Sequence, residues 1–320
     1  MTWRSNSDLF PTDSTNNLHG LCVVRSLDTV KLTKLRSERF QLLTLPVSFP
    51  APAKINLGLE ILARREDGYH ELNTLFYRVD EPHDVLEVSA AVRYTLTCSD
   101  PTVPVDASNL VTRAFTALAQ ELPAIHIHLV KNIPHGAGLG GGSSDAAIAL
   151  LIGNELLPAQ KPANELFDIA QKLGADVPFF LSGERAMIGH GIGDILEPIE
   201  LELPCSIVIA KDPSVSVSTK EAYEGLQLKT ARIATDHIAM LSAYGWEGLL
   251  DVLVNDFEPT IFARYPAIGR LKKEMTELGA MKALMSGSGS AVFGMFQRAE
   301  LADRAVEALR RKGLLVCRAA

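Results

Sequence analysis

Between Lys54 and Ile61 the apolar residues Ile55, Leu57, Leu59 and Ile61 alternate with Lys54, Asn56, Gly58 and Glu60, the two-residue period of a half-buried strand. Lys54 and Asn56 therefore share one face of that strand. Asp67-Gly68 marks a turn, and His70 to Val79, Asp84 to Val88 and Arg93 to Cys98 read as further strands, so the first third of the chain is rich in sheet. Asn109 to Leu122 carries apolar residues at helical spacing, with Ser108 or Asn109 placed as a cap. Ile125 to Val130 returns to strand character, a glycine-rich run follows, and Asp145 to Leu157 and Asn164 to Leu173 are predicted helices, the latter stopped by Gly174. The apolar segment after Asp176 reads as a strand. Beyond Pro204 the pattern restarts with a strand at Ser206 to Ala210 and helices near Ala267 to Leu278 and Ala299 to Lys312, separated by a second small-residue loop at Ser286 to Ser290.

This restart places a domain boundary near residue 200 and predicts one domain over 47–200 and a second over 201–320, in keeping with a chain of 320 residues. Residues 1–46 differ from both. Ser, Thr, Asn and Arg recur there and apolar periodicity is poor until Val47, so the segment is expected to be a disordered appendage or the product of a start site placed too far upstream. Asp8, Asp13, Asp28 and Glu38 lie among its basic residues, unlike an acid-poor transit peptide, and it has no apolar stretch of the secretory kind.

Composition narrows the class. Hydrophobic residues make up 47% and charged residues 22%, the profile of a globular enzyme rather than a disordered scaffold. No run approaches the length of apolar sequence that a membrane span requires. The formal net charge of -7 argues against nucleic acid as a partner, which calls for a basic face. Cys22, Cys98, Cys205 and Cys317 are scattered without paired spacing, so neither a zinc knuckle nor a disulfide framework is expected and a reducing cytoplasm fits.

The run Lys131-Asn-Ile-Pro-His-Gly-Ala-Gly-Leu-Gly-Gly-Gly-Ser-Ser-Asp-Ala-Ala leaves a strand and opens a helix near Ser143, with five glycines in the seven positions 136 to 142. Glycine lets the backbone approach a ligand, and the unsatisfied amides of a helix start suit phosphate. Ser143 and Ser144 add hydroxyls, either of which is placed to cap the helix. A mere flexible linker has no reason to run without a break into an alanine-rich helix. Gly136, Gly138 and Gly141 also satisfy G-x-G-x-x-G, but a dinucleotide fold requires a second strand ending in an acid about twenty residues on, whereas Asn154 to Glu165 runs through Pro158 and Pro162 into another helix. No Gly-Lys-Ser/Thr closes the run, so it is not a Walker A loop. A third kind of phosphate loop remains.

Phosphoryl transfer needs a cation, an oriented acceptor hydroxyl and a carboxylate beside it. Asp176, in Leu173-Gly-Ala-Asp-Val-Pro-Phe-Phe180, and Lys54 are the candidates; taken singly, the first is a turn aspartate and the second a solvated charge. Tyr69 and His70 follow the Asp67-Gly68 turn and offer an aromatic plane and a ring hydrogen-bonding group. His126 and His128 alternate on a strand face without neighbouring acids and read as ordinary surface rather than a metal site.

Together these segments resemble the superfamily of galactokinase, homoserine kinase, mevalonate kinase and phosphomevalonate kinase, the GHMP kinases, whose central motif runs from a proline through Gly-Leu-Gly/Ala to Ser-Ser; Pro134 to Ser144 follows it. Pro52-Ala-Lys-Ile-Asn-Leu-Gly-Leu59, Asp67-Gly-Tyr-His-Glu-Leu-Asn-Thr-Leu-Phe76, Gly174-Ala-Asp-Val-Pro-Phe179 and Met285-Ser-Gly-Ser-Gly-Ser-Ala-Val-Phe293 are similar to the branch that acts on a cytidine-diphosphate-linked methylerythritol.

The resemblance implies an α+β fold of two domains, a ribosomal-protein-S5-domain-2-like catalytic domain followed by a ferredoxin-like one. It further implies transfer of the ATP γ-phosphate to the substrate's tertiary 2-hydroxyl, with Asp176 as general base and Lys54 fixing it. Asn56, Tyr69 and His70 then fall at substrate positions, His70 reading the cytosine edge and Tyr69 stacking, with Tyr223 as a second aromatic. Lys131 falls beside adenine and ribose, and Pro134, His135, Gly136, Ala137, Gly138, Leu139, Gly140, Gly141, Gly142, Ser143 and Ser144 make up the phosphate loop. Mg2+ is expected with the nucleotide, held chiefly by phosphate oxygens and not by a metal site of the protein, and the chain is expected to act as a monomer or weak homodimer. Another GHMP-type kinase is the neighbouring reading, against which stands the absence of a Gly-Glu-His run. A nucleotide-binding homologue without catalysis is the other, against which stands the presence of both Lys54 and Asp176.

Overall fold

The computed structural model describes residues 46–119, 121–158, 160–226 and 232–319, and the expectation for the N-terminal appendage lies, apart from Pro46, outside them. The chain opens with β1 (Val47–Arg64) and β2 (His70–Ala90), joined at the Asp67-Gly68 turn and paired antiparallel from Val47↔Val88 to Arg64↔His70. The two strands expected over 70–88 are one continuous strand in the structure. The gap expected between them is a register shift in β2, where residues 80–82 are extra opposite Pro52/Ala53, while β1 carries its own shifts at Asn56/Gly58 and Ile61/Ala63, as bulges do in long strands.

β3 (Thr95–Cys98), α1 (Leu110–Leu118) and β4 (Ile125–Val130) follow, then α2 (Gly141–Leu156), α3 (Ala163–Leu173), α4 (Val177–Ser182), β5 (Ala186–His190) and β6 (Ile195–Pro198). The first sheet has the order β3-β4-β2-β5-β6, with β1 pairing β2 off that path. The second half supplies β7 (Ser206–Lys211), α5 (Thr219–Glu224), α6 (His237–Val252), α7 (Glu258–Arg264), α8 (Pro266–Glu277), β8 (Lys282–Met285), β9 (Val292–Phe296), α9 (Ala299–Arg310) and β10 (Leu315–Ala319). Its sheet has the order β10-β7-β9-β8.

Alternation along the strands separates the cores. In β7, Ile207 and Ile209 join Ala53, Ile55 and Leu57 of β1 in a cluster where the two sheets face each other, while Val208 and Ala210 turn to Ile268, Leu271 and Leu309 on the far helices. A third cluster packs α1, α2 and α4 on the first sheet, with Ala146, Ile148, Leu150 and Phe179 buried. Helices thus cover the outer face of each sheet.

Two local expectations change. Val177 to Phe180 is helix rather than strand: Pro178 sits in the first turn, where proline's missing N–H is not needed, and Gly183 ends the helix with a φ of 73°. α2 begins at Gly141 with Gly140 as its cap residue and no side-chain capping bond. The expected serine cap is therefore absent, because the turn into the helix is made before either serine, by the positive φ of Gly140.

Candidate active site

β1 and the entrance to α4 meet at one lysine–aspartate pair. Lys54 and Asn56 point from the same face of β1, and the Lys54 ammonium donates to Asn56 Oδ1 at 2.6 Å and lies 3.4 Å from Asp176 Oδ2. Asn56 is oriented in turn, its Nδ2 donating to Thr74 Oγ1 at 2.8 Å while that hydroxyl donates to the Gly58 carbonyl at 2.7 Å. The ammonium also sits 5.3 Å from the centre of the Phe76 ring, a cation–π contact that keeps it off the apolar floor. Asp176 stands at the N-cap position of α4, yet makes no capping bond. Its carboxylate turns to the lysine instead. The Lys54 side chain is 5% exposed and that of Asp176 30%, so the cation is fixed within the wall and the acid faces the opening.

The glycine loop passes directly above. Four successive carbonyls are held by the protein: Gly136 O accepts from Ser290 N at 3.2 Å, Ala137 O from Ala291 N at 3.1 Å, Gly138 O from Ser286 Oγ at 2.9 Å and Leu139 O from Lys54 N at 3.0 Å. In a trans peptide the N–H lies opposite the C=O, so pinning the carbonyls into the protein turns amides the other way, as in an anion-binding nest. Gly136, Gly138 and Gly140 have φ values of 60°, 72° and 73°. At Gly138 close approach is equally strict, because an added Cβ would lie 2.1 Å from Ser286 O. The loop then becomes the N-terminus of α2, whose partial positive charge favours phosphate.

These parts line one cleft of about 420 Å³, walled by Lys54, Asn56, Asp176, the loop from Pro134 to Ser143, Tyr223 and Ser288. At its other end the His70 and Tyr223 rings stack with centroids 4.9 Å apart at 23°, and Tyr223 meets Phe257 edge-on. Burial, and after it the charge of Asp176, pushes the Tyr223 hydroxyl up to about 12, so it stays protonated as a donor. Burial and then the Arg64 charge lower His70, which favours the neutral ring. A neutral imidazole offers one donor and one acceptor, the pair a pyrimidine edge can use.

The structure thus brings Lys54, Asn56, Asp176, Tyr223 and residues 134–143 to one cleft, with His70 stacked against it. Tyr69 lies outside this wall and is 61% exposed. Ser144 does not line the cleft; it is fully buried and its hydroxyl has no hydrogen-bond partner. Lys131 borders the cleft, but its ammonium turns to Asp84 and Asp145.

Several residues were not visible to sequence reasoning. Asp84 and Asp145 are two, although an aspartate opening the wholly apolar stretch Ala146 to Ile152 is itself a sign of a buried partner. Asn255 is another: its Nδ2 holds Met285 O at 2.6 Å and Gly287 O at 2.9 Å and so shapes the late small-residue loop. No local signal marks it. Among the described residues there is no cluster of three or more His, Cys, Asp or Glu able to hold a metal, and no helix long and apolar enough to cross a membrane.

Comparison with known proteins gives the same reading. Residues 109–184 match the GHMP kinases N terminal domain and residues 241–314 the GHMP kinases C terminal family model. A 4-diphosphocytidyl-2-C-methyl-D-erythritol kinase of Chlorobium limicola is 42% identical over 275 residues, 84% of this chain and 95% of the relative. That of Parabacteroides distasonis is 42% identical over 258 residues, 79% of this chain and 92% of the relative. A crystal structure of 4-(cytidine 5'-diphospho)-2C-methyl-D-erythritol kinase superposes with a TM-score of 0.71 at 38% identity, covering 85% of this chain and 98% of that one. A homoserine kinase from Cytophaga hutchinsonii, at 21% identity and a TM-score of 0.63, shares the fold.

Proposed function

The chain belongs to the GHMP kinases and, within them, to the 4-diphosphocytidyl-2-C-methyl-D-erythritol kinase family, and on that premise we infer that it transfers the γ-phosphate of ATP to the 2-hydroxyl of that cytidine-linked polyol, a step of the non-mevalonate route to isoprenoid precursors. One observation carries the assignment of roles. Among the described residues lining the cleft Asp176 is the single carboxylate, and it is tied to the cation Lys54.

Asp176 takes the proton of the acceptor hydroxyl as its oxygen attacks the γ-phosphorus. The new O–P bond forms while the bond from phosphorus to the β–γ bridging oxygen breaks, and ADP departs with that electron pair. Lys54 holds the carboxylate in line and offsets charge on the phosphoryl oxygens, the electrostatic part of such catalysis. The amides of residues 137–140 and the start of α2 receive the phosphates. His70 and Tyr223 supply the edge and the plane for cytosine, with Tyr69 at the rim.

The residues present fit a divalent ion that enters on the nucleotide: the cleft wall offers one carboxylate, Asp176, and among the described residues no cluster of acids and histidines forms a protein cage. Bound there, Mg2+ neutralises phosphate charge and polarises the transferred group. We assign the nucleotide and acid–base work to residues 47–200 and the substrate-side wall to 201–320, a division supported by the two separate sheets. A cytoplasmic enzyme is in line with free thiols at Cys205 and Cys317 that burial pushes up to about 11 and about 12, too high to ionise at neutral pH.

The test is an ATP-consumption assay with the cytidine-linked substrate, mevalonate and galactose, run on wild type and Asp176→Asn. Turnover is expected with the first acceptor alone, falling by about 10² to 10⁴ in the variant while ATP affinity is kept. Unchanged turnover in Asp176→Asn removes it as the base, and turnover with mevalonate or galactose instead overturns the acceptor assignment.

A further inference from the structure

Behind the phosphate loop lies a second lysine–carboxylate cluster that the transfer reaction does not use. Lys131 Nζ donates to Asp84 Oδ2 and, at 2.7 Å, to Asp145 Oδ2. Asp84, on β2, is fully buried, and its Oδ1 accepts from Asn132 N at 2.6 Å and Ile133 N at 2.8 Å. Asp145, in the second turn of α2, is 3% exposed and its Oδ1 has no hydrogen-bond partner. Gly141, the first residue of α2, rests on the cluster: a Cβ there would lie 3.2 Å from Asp84 Oδ2. Three side chains therefore join β2, the chain entering the loop and the helix leaving it.

Two carboxylates and one ammonium sum to a net negative charge when all are ionised. The other titratable groups facing them do not correct this. Cys98, at the end of β3, is raised by burial and stays a neutral thiol; Asp100 after it adds a further negative charge; His135, on the loop, lies toward Asp100. An uncompensated charge in a buried site is costly, and taking up a proton relieves it. Burial, the largest cause, together with Asp84 and against the opposing pull of Lys131, raises Asp145 to about 7.

We propose that Asp84, Asp145 and Lys131 are positioning residues that hold one exchangeable proton behind the phosphate loop. With the proton the cluster is neutral and nucleotide affinity is full; without it a negative charge stands behind the amides that receive the phosphates, and binding weakens. The proposal rests on the loop being the ATP phosphate site. Its sign for stability is independent of nucleotide. The folded state binds the proton more tightly than the unfolded chain, so stability is highest below the ordinary carboxylate range and falls as pH rises from about 4 toward about 7.

Full-length wild type and Asp145→Asn are compared by calorimetric titration with ADP and Mg2+ and by melting without nucleotide, from about pH 5.5 to about pH 8.5. The isosteric amide carries no titrating proton, and ionisation of ADP cancels in the ratio. The wild-type to variant ratio of dissociation constants is expected to rise from about one at about pH 6 to about tenfold at about pH 8, the scale of a unit charge acting across a protein at roughly 10 Å. The wild-type melting temperature should fall relative to the variant from about pH 5.5 to about pH 7 and run parallel to it above. Asp84→Asn, whose Oδ1 keeps both backbone bonds, replaces Asp145→Asn should that variant not fold. Parallel curves for wild type and variant in both readouts overturn the proposal. Failure of wild type to bind ADP at any pH overturns the nucleotide assignment of the loop instead, and the melting curves then decide the cluster alone.

Discussion

Two loops built from the same small residues, 136–144 and 286–290, lie against each other and are used in opposite ways. In the first the carbonyls of Gly136 to Leu139 are held by the protein, which frees the other side of each peptide for a ligand. In the second, Ser288 reaches the cleft wall but the flanking polar groups are committed inward: Ser286 Oγ accepts from Asn56 N at 3.3 Å and donates to Gly138 O, Ser290 Oγ donates to Val215 O at 2.8 Å, and Asn255 fastens Met285 O and Gly287 O. Glycine-rich sequence thus marks close approach of backbone, either to a phosphate or to another loop, and only the hydrogen-bond ledger separates the two. Asn255 and Ser286 form a template on which the loop 136–144 is cast.

Three substitutions break or sharpen this contrast. Gly138→Ala is expected to be the most damaging. Its Cβ would lie 2.1 Å from Ser286 O at a φ of 72°, so both loops must shift, with a loss of more than about 3 kcal/mol from overpacking and left-handed strain, read by chemical denaturation; near-wild-type stability would show that the loops are not in register as described. Ser286→Ala removes one hydroxyl between β1 and the phosphate loop. It is expected to cost about 1 to 2 kcal/mol of stability, with a larger fractional fall in kcat than rise in the KM for ATP, and a pure KM effect would reassign Ser286 to nucleotide contact. Gly68→Ala is the control: φ is 87°, yet nothing lies within 4 Å of the added Cβ, so only the conformational term of about 1 kcal/mol remains. A loss as large as that of Gly138→Ala would mean that positive φ alone, and not approach, governs these glycines.

Much of the site was legible where chemistry is local. The two-residue period through Lys54 and Asn56 put both on one face, and the strand-to-helix glycine run marked a loop that lines the cleft. Asp176 was found, but its surroundings were read as strand because Val177 to Phe180 is uniformly apolar; the proline within it, acceptable in a first helical turn, carried the true signal. What escaped is what chain folding brings from afar. Ser286 meets Asn56 across 230 residues and Asp84 meets Lys131 across 47, and no periodicity reports a partner at such separation. The serine cap failed for a different reason: Ser144 looks outward by sequence, but the helix starts early enough to rotate it into the core.

The strand that carries Lys54 also has a second allegiance. Beyond Lys54, β1 stays paired with β2 to Arg64↔His70 and along its backbone also takes up the other half of the molecule: Leu59 N donates to Val254 O at 2.8 Å, Asp256 N to Leu59 O at 3.0 Å, and Asp256 Oδ2 accepts from Ile61 N at 2.7 Å. A seam of this sort ties the two halves together at the floor of the cleft. Heating should melt both halves in one cooperative transition, because the floor beneath the lysine belongs to both halves at once.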